Sequence, residues 1–238
     1  MNRSKIEWVL NPDNKTLGYT WNPVTGCLYG CTYCYARRIA RRFGKTQWER
    51  DFKPLFYPER LNGPLEIKKP STILVCSMAD LFGSWVPMKW IEDVLQACRR
   101  ASQHRYIFLT KNSKRYREIN TMLNYDPWPL TCLKGATSEG VSPQAVVDFI
   151  SFEPLLFEPF LEGPVYYPAL FKKLKWVVVG AQTGPGAVKP KPEWVETIIA
   201  LCSQYRIPLF LKDNLHWPER IQEIPWVHEK NSVRSVSI

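Results

Sequence analysis

The feature that most narrows the fold is a recurring unit: a short apolar run, a polar cluster directly behind it, then a stretch with helical spacing. Apolar runs stand at Thr72–Cys76, Tyr106–Leu109, Val147–Phe152, Trp176–Val179 and Pro208–Leu211. They are too short for helices and rich in β-branched and aromatic residues, so each reads as a buried strand. Gly18–Trp21 and Leu130–Ala136 read as further strands. Helical patterns cover Tyr35–Phe43, closed by Gly44, then Trp90–Ala101, Lys114–Leu123 and Glu193–Tyr205, with at most a short helix near Pro143–Val146. Apolar strands alternating with helices predict an α/β fold whose parallel sheet is covered on both faces. At 238 residues the expectation is one domain, 1–238, built as a partial TIM-type (β/α) barrel of six or seven strands.

The polar clusters behind the strands are Ser77-Met78-Ala79-Asp80, Thr110-Lys111-Asn112, Thr137-Ser138-Glu139, Glu153-Pro154, Gln182-Thr183-Gly184 and Lys212-Asp213-Asn214. In a parallel barrel these positions form the face that carries chemistry. The glycine-rich stretch Val179–Gly186 is not a dinucleotide fingerprint, because the G-x-G-x-x-G spacing is absent and Pro185 interrupts it.

Three thiols, Cys27, Cys31 and Cys34, lie within eight residues at offsets of four and three. That spacing lets one tight loop aim them at a common point. Thiolates are soft ligands that select iron–sulfur clusters, zinc or copper(I). Three of them on a 4Fe–4S cluster leave one iron open to a small molecule. A structural zinc would need a fourth ligand from elsewhere, and ordinary loop thiols are the third reading. Neither a histidine pair nor a second CxxC follows, which favours iron–sulfur. The other four cysteines, Cys76, Cys98, Cys132 and Cys202, are scattered through apolar segments. They read as buried free thiols of a reducing compartment rather than a disulfide framework. Cys76, beside the Ser77–Asp80 cluster, is also a hydrogen-donor candidate. No apolar run approaches the length of a membrane span and the N-terminus lacks a signal-peptide core, so a cytoplasmic protein is expected.

With these motifs placed, a resemblance becomes specific. Ile6-Glu7-Trp8, Trp21-Asn22-Pro23-Val24-Thr25-Gly26-Cys27, Cys31-Thr32-Tyr33-Cys34-Tyr35-Ala36, Ser77-Met78-Ala79-Asp80-Leu81-Phe82, Leu109-Thr110-Lys111, Ser151-Phe152-Glu153-Pro154-Leu155-Leu156 and Gly184-Pro185-Gly186-Ala187 resemble the phage-associated three-Cys-motif family of radical-SAM-like proteins. More distantly the chain is similar to the spore photoproduct lyase branch of radical S-adenosylmethionine (SAM) enzymes. Two departures are a longer link between Trp8 and Trp21 and a shorter stretch between Glu139 and Phe149.

The resemblance implies a radical SAM core and an enzyme in which Cys27, Cys31 and Cys34 hold a 4Fe–4S cluster. The open iron would chelate SAM, whose reductive cleavage would give a 5′-deoxyadenosyl radical. It implies Tyr33 near the adenine, the backbone of Ser77, Met78 and Asp80 at the methionyl amino group, and Lys111 on the SAM carboxylate. Glu153 and Gln182 would meet ribose, adenine or substrate. The implied electron donor is a reduced flavodoxin or ferredoxin, and the substrate stays open. The rival readings are a metal-stabilised nucleic-acid-binding module without catalysis, and an iron–sulfur electron carrier.

The formal net charge of +10 favours an acidic or polyanionic partner. Arg37, Arg38, Arg41 and Arg42 follow directly on the cysteine loop as one helical stripe. The stripe can bind DNA or RNA, dock an acidic electron donor, or be a solvated helix face.

Overall fold

The computed structural model describes residues 1–123, 125–138, 143–155, 170–184 and 186–227. The chain forms two compact units, Met1–Ala136 with Pro143–Val147, and Thr137–Ser142 with Asp148–Ile238.

The first unit is built on β1 (Asn2–Arg3), β2 (Tyr19–Trp21), a small antiparallel ribbon of β3 (Val24–Thr25) with β4 (Leu55–Phe56), and the longer strands β5 (Thr72–Val75), β6 (Arg105–Thr110) and β7 (Cys132–Thr137). Its main sheet runs β1-β2-β5-β6-β7, parallel from β2 onward with β1 antiparallel at the edge. Ile73 stands opposite both Tyr19 and Tyr106 in this register. Strand β5 is buried at every position, which is why it runs Thr-Ile-Leu-Val with three aliphatic residues in succession rather than alternating with charged ones. The helices are α1 (Tyr35–Phe43), α2 (Gln47–Arg50), α3 (Gly63–Glu66), α4 (Met88–Arg100) and α5 (Lys114–Leu123). On α4 the residues Ile91, Val94, Leu95 and Cys98 are buried, the i, i+3, i+4, i+7 stripe that the sequence carries. Phe82, Phe108, Tyr116 and Trp128 pack as an aromatic cluster with centroids 4.8–5.9 Å apart.

The second unit holds the parallel strands β8 (Phe149–Phe152), β9 (Trp176–Val179) and β10 (Leu209–Leu211), with α6 (Pro192–Tyr205) between the last two. Helix α6 starts on a proline, whose missing N–H costs nothing in the first turn, and ends at Arg206 in a left-handed conformation.

The α/β class and the parallel strands agree with the expectation from sequence. The edge strand β1, the β3–β4 ribbon and the one-turn helices α2 and α3 are additions, too short to show periodicity. Among the described residues no helix forms at Pro143–Val146; the Gln144 N–H is taken instead by the Ser113 hydroxyl at 2.8 Å. All seven cysteines are free; Cys76, Cys98 and Cys202 are buried and Cys132 is half-buried. Among the described residues no helix is long and apolar enough to cross a membrane.

His104 is fully buried and clamps the entry to β5. Its Nδ1 accepts the Ser71 N–H at 3.2 Å, so its Nε2 carries the proton and donates to the Pro64 carbonyl at 2.9 Å. Burial pulls its basicity below the usual value, against the help of nearby carbonyls. A histidine with a depressed folded pKa adds stability above its unfolded value, near 6.5, that is lost as the pH falls toward the folded one. Denaturant midpoints should therefore drop between pH 7.5 and 5.5. That drop should be smaller in His104→Gln; an equal drop would remove His104 as the source.

Candidate functional site

The cysteine loop leaves β3 through Gly26, and glycine is required there. Its φ is +84°, and a Cβ would sit 2.1 Å from the Lys53 carbonyl oxygen. The close approach lets the Cys27 N–H donate to the Phe52 carbonyl at 2.9 Å while Gly26 donates to the Met78 carbonyl at 2.9 Å. Farther along, Arg37 reaches back from α1 to the Cys27 carbonyl at 2.9 Å. Cys34 is the N-cap of α1, its sulfur accepting the Arg37 N–H at 3.4 Å. Cys27, Cys31 and Cys34 are all half-buried. Burial pushes the Cys27 thiol up to about 11, and the nearby Asp80, Cys31 and Cys34 push the same way. The thiols are therefore electrostatic neighbours, yet among the described residues no set of three or more Cys, His, Asp or Glu side chains is gathered tightly enough to hold a metal ion as it stands.

The loop behind β5 is stitched to the cysteine loop. Cys76 takes a left-handed φ of +59°, unusual for a residue with a Cβ, and turns the chain out of the sheet. Its N–H donates to the Trp21 carbonyl at 2.7 Å, and its thiol, pushed up to about 12 by burial, is a neutral S–H at physiological pH. The Asn22 side-chain oxygen accepts the Met78 N–H at 2.9 Å and the Ser77 hydroxyl at 3.3 Å. Tyr35 donates its hydroxyl to the Ser77 carbonyl at 2.6 Å. Gly26 and Ala79 close the join as a parallel bridge.

Asp80 ties this loop to the end of β6. One carboxylate oxygen accepts the Thr110 hydroxyl at 2.7 Å and the Phe82 N–H at 3.0 Å; the other accepts the Lys111 N–H at 2.9 Å. Burial pushes this carboxyl up, and the three hydrogen bonds with the Lys111 charge pull it back. The Asp80 side chain thus faces inward and fixes where Lys111 starts. The Lys111 ammonium donates to the Tyr33 hydroxyl at 2.6 Å, on the cysteine loop itself. Tyr33, Ser77, Met78, Asp80 and Lys111 are accordingly brought together with the three cysteines.

The second unit carries its own strand-end arrangement. Glu153, behind β8, pairs with Lys212, behind β10, and both are largely buried. Gly180 makes room for the pair: a Cβ there would meet Lys212 Cδ at 2.9 Å and Glu153 Cγ at 3.1 Å. Asn214 grips the Ala181 backbone from both sides, accepting its N–H at 3.1 Å and donating to its carbonyl at 2.8 Å. Gln182 is half-buried, its side-chain oxygen accepting the Val188 N–H at 3.0 Å. Glu139, Leu156 and Pro185 lie outside the described residues.

A family described as "Protein of unknown function (DUF5131)" matches residues 3–234. The chain belongs to the DUF5131 family. No curated protein and no solved structure matches it.

In this DUF5131 chain the donor set fits a soft metal or cluster: three thiols on one half-buried loop, anchored at both ends by backbone hydrogen bonds. Lys111 adds a cation beside that loop. The positioning residues Asn22, Tyr35 and Lys212 were not assigned from sequence. Asn22 and Tyr35 sit inside the quoted motifs, but their partners lie 55 and 42 residues away, and only folding supplies them. Replacing Asp80 with alanine strands a hydroxyl and two N–H groups in the interior, each worth about 1–3 kcal/mol. Asp80→Ala should therefore lose at least about 2 kcal/mol of unfolding free energy in urea titrations, with Asp80→Asn in between. Parent-like stability in Asp80→Ala would show that the carboxylate does not organise the loop.

Proposed function

We propose that this protein is a radical SAM enzyme with a partial TIM-type barrel core, acting on a substrate still to be identified. Cys27, Cys31 and Cys34 would hold a 4Fe–4S cluster. The observation that carries the reading is the stitching of the cysteine loop to Ser77–Asp80, with Lys111 delivered to the same loop through Tyr33. When bound, such a cluster supplies one electron to the SAM sulfonium, and the radical chemistry belongs to the cofactor. The chain's own work is binding and orientation. The Ser77–Met78 backbone, fixed by Asn22 and Tyr35, would receive the SAM amino group. Lys111, placed by Asp80 through its backbone N–H, would exchange the Tyr33 hydroxyl for the SAM carboxylate. Glu153 and Gln182 would serve ribose, adenine or substrate. A reduced flavodoxin or ferredoxin is the proposed electron source, in the cytoplasm.

Anaerobic reconstitution with iron and sulfide should give a 4Fe–4S spectrum, and SAM with dithionite should release 5′-deoxyadenosine. Cys31→Ala should lose most of the bound iron, whereas Cys98→Ala, on the buried face of α4, should keep it. Full iron in Cys31→Ala, or zinc in place of iron in the parent, would sink the assignment. A second measurement is SAM affinity. Lys111→Ala keeps the backbone bond to Asp80 but loses a charge-assisted contact, so binding should weaken roughly 10- to 150-fold. Parent-like affinity would exclude Lys111 from the SAM site.

A further inference from the structure

Helices α1 and α2 pack against each other and present an unusual surface. Residues 35–53 carry seven Lys and Arg against two acids, a net +5 and half of the formal +10 of the chain. Among the described residues, six of the eleven large apolar side chains left exposed also fall between positions 28 and 48: Leu28, Tyr29, Tyr35, Ile39, Phe43 and Trp48. On α1 the row Tyr35–Ile39–Phe43 repeats every four residues and is 42–67% exposed, while Ala36 is the residue turned inward. Beside that row stand the exposed Arg38, Arg41 and Arg42. An exposed apolar row on a globular surface marks a binding face.

The two acids of this segment have partners of their own. Glu49 is consumed by the α2 cap, accepting the Lys45 and Thr46 N–H groups and the Tyr57 hydroxyl. Asp51 lies 3.7 Å from Lys53. Arg37 is not part of the stripe: it is half-buried, spent on the Cys27 carbonyl and the Phe52 ring. The exposed cations of α1 and the turn that follows it are Arg38, Arg41, Arg42 and Lys45.

Two of the aromatic rings are held in place by their polar edges. Trp48 donates its indole N–H to the Pro54 carbonyl at 3.2 Å, and Tyr35 donates to Ser77. Cations already lie over the rings, Arg42 over Phe43 at 5.1 Å and Lys53 over Trp48 at 4.6 Å. Fixed flat rings interleaved with arginine suit stacking on unpaired bases with phosphates alongside. A lipid surface would instead be met by a longer apolar face, and an acidic protein needs the charge but not the rings.

We propose that the α1–α2 face binds single-stranded nucleic acid, with Arg41, Arg42 and Lys45 on phosphates and Phe43 and Trp48 against bases. This names the substrate class of the proposed enzyme; strand binding itself does not depend on the radical SAM reading, and only the chemistry done on the bound strand does.

The test is fluorescence anisotropy with labelled 20-nucleotide DNA and RNA strands, titrated between 50 and 200 mM salt. Three to four neutralised phosphates give a slope of log affinity against log salt of about −2 to −3. Arg41, Arg42 and Lys45 all changed to glutamine should flatten that slope by about 2 units and weaken binding at least about tenfold at 50 mM salt. Phe43→Ala, which removes an exposed ring, should weaken binding roughly 5- to 150-fold at an unchanged slope. No strand binding, parent-like binding in the triple variant, or tighter binding to phosphatidylserine vesicles than to the strand would overturn the proposal. So would full displacement by polyglutamate with Phe43→Ala unaffected, which would mark an acidic-protein dock. Iron content and SAM affinity of the triple variant should match the parent. Absence of strand binding in a parent protein with its iron intact defeats this proposal alone. Strand binding retained in Cys31→Ala upholds it even if the cluster assignment fails.

Discussion

The buried carboxylate of Asp80 is the constraint on which the first unit's strand-end loops depend. A carboxylate inside a protein must be hydrogen-bonded or it destabilises the fold. Asp80 meets that demand with Phe82, Thr110 and the Lys111 backbone, which forces the loop behind β5 and the end of β6 into fixed register. Thr110 in turn accepts the Asn112 N–H, and Asn112 donates to the Phe82 carbonyl, so the network closes on itself. Loops are ordinarily the least constrained part of an α/β fold. Here one buried acid makes two of them rigid.

From that rigid pair the cysteine loop takes its position. Gly26, Asn22 and Tyr35 fasten it to Ser77–Ala79, and Arg37 fastens its start to α1. Nearly all of these contacts use a backbone carbonyl or N–H on one side. The thiols themselves meet the scaffold through backbone N–H groups, Tyr29 at Cys27 and Arg37 at Cys34. A loop anchored through its backbone can offer side chains to a ligand without unfolding, which is what a preorganised cofactor site requires.

The same loop borders the basic, aromatic face of α1 and α2. Tyr35 belongs to both: its ring lies in the exposed row and its hydroxyl holds Ser77. A single side chain thus links the surface proposed to receive a nucleic-acid strand with the loop proposed to receive SAM.

Sequence by itself determined the longer parallel strands, the long helices and the α/β class, because burial on both sides of a parallel sheet demands largely apolar runs such as Thr72–Val75 and Trp176–Val179. It also determined the cysteine triplet and the polar residues at strand ends, since both are local in the chain. Tertiary structure alone decided what those residues do. It turned Asp80 inward, set Lys111 on Tyr33 across 78 residues, removed Arg37 from the basic stripe and paired Glu153 with Lys212. The physical reason is that periodicity records which face of an element is dry. A hydrogen-bond partner many residues away leaves no periodic trace, and exists only once the strands have aligned.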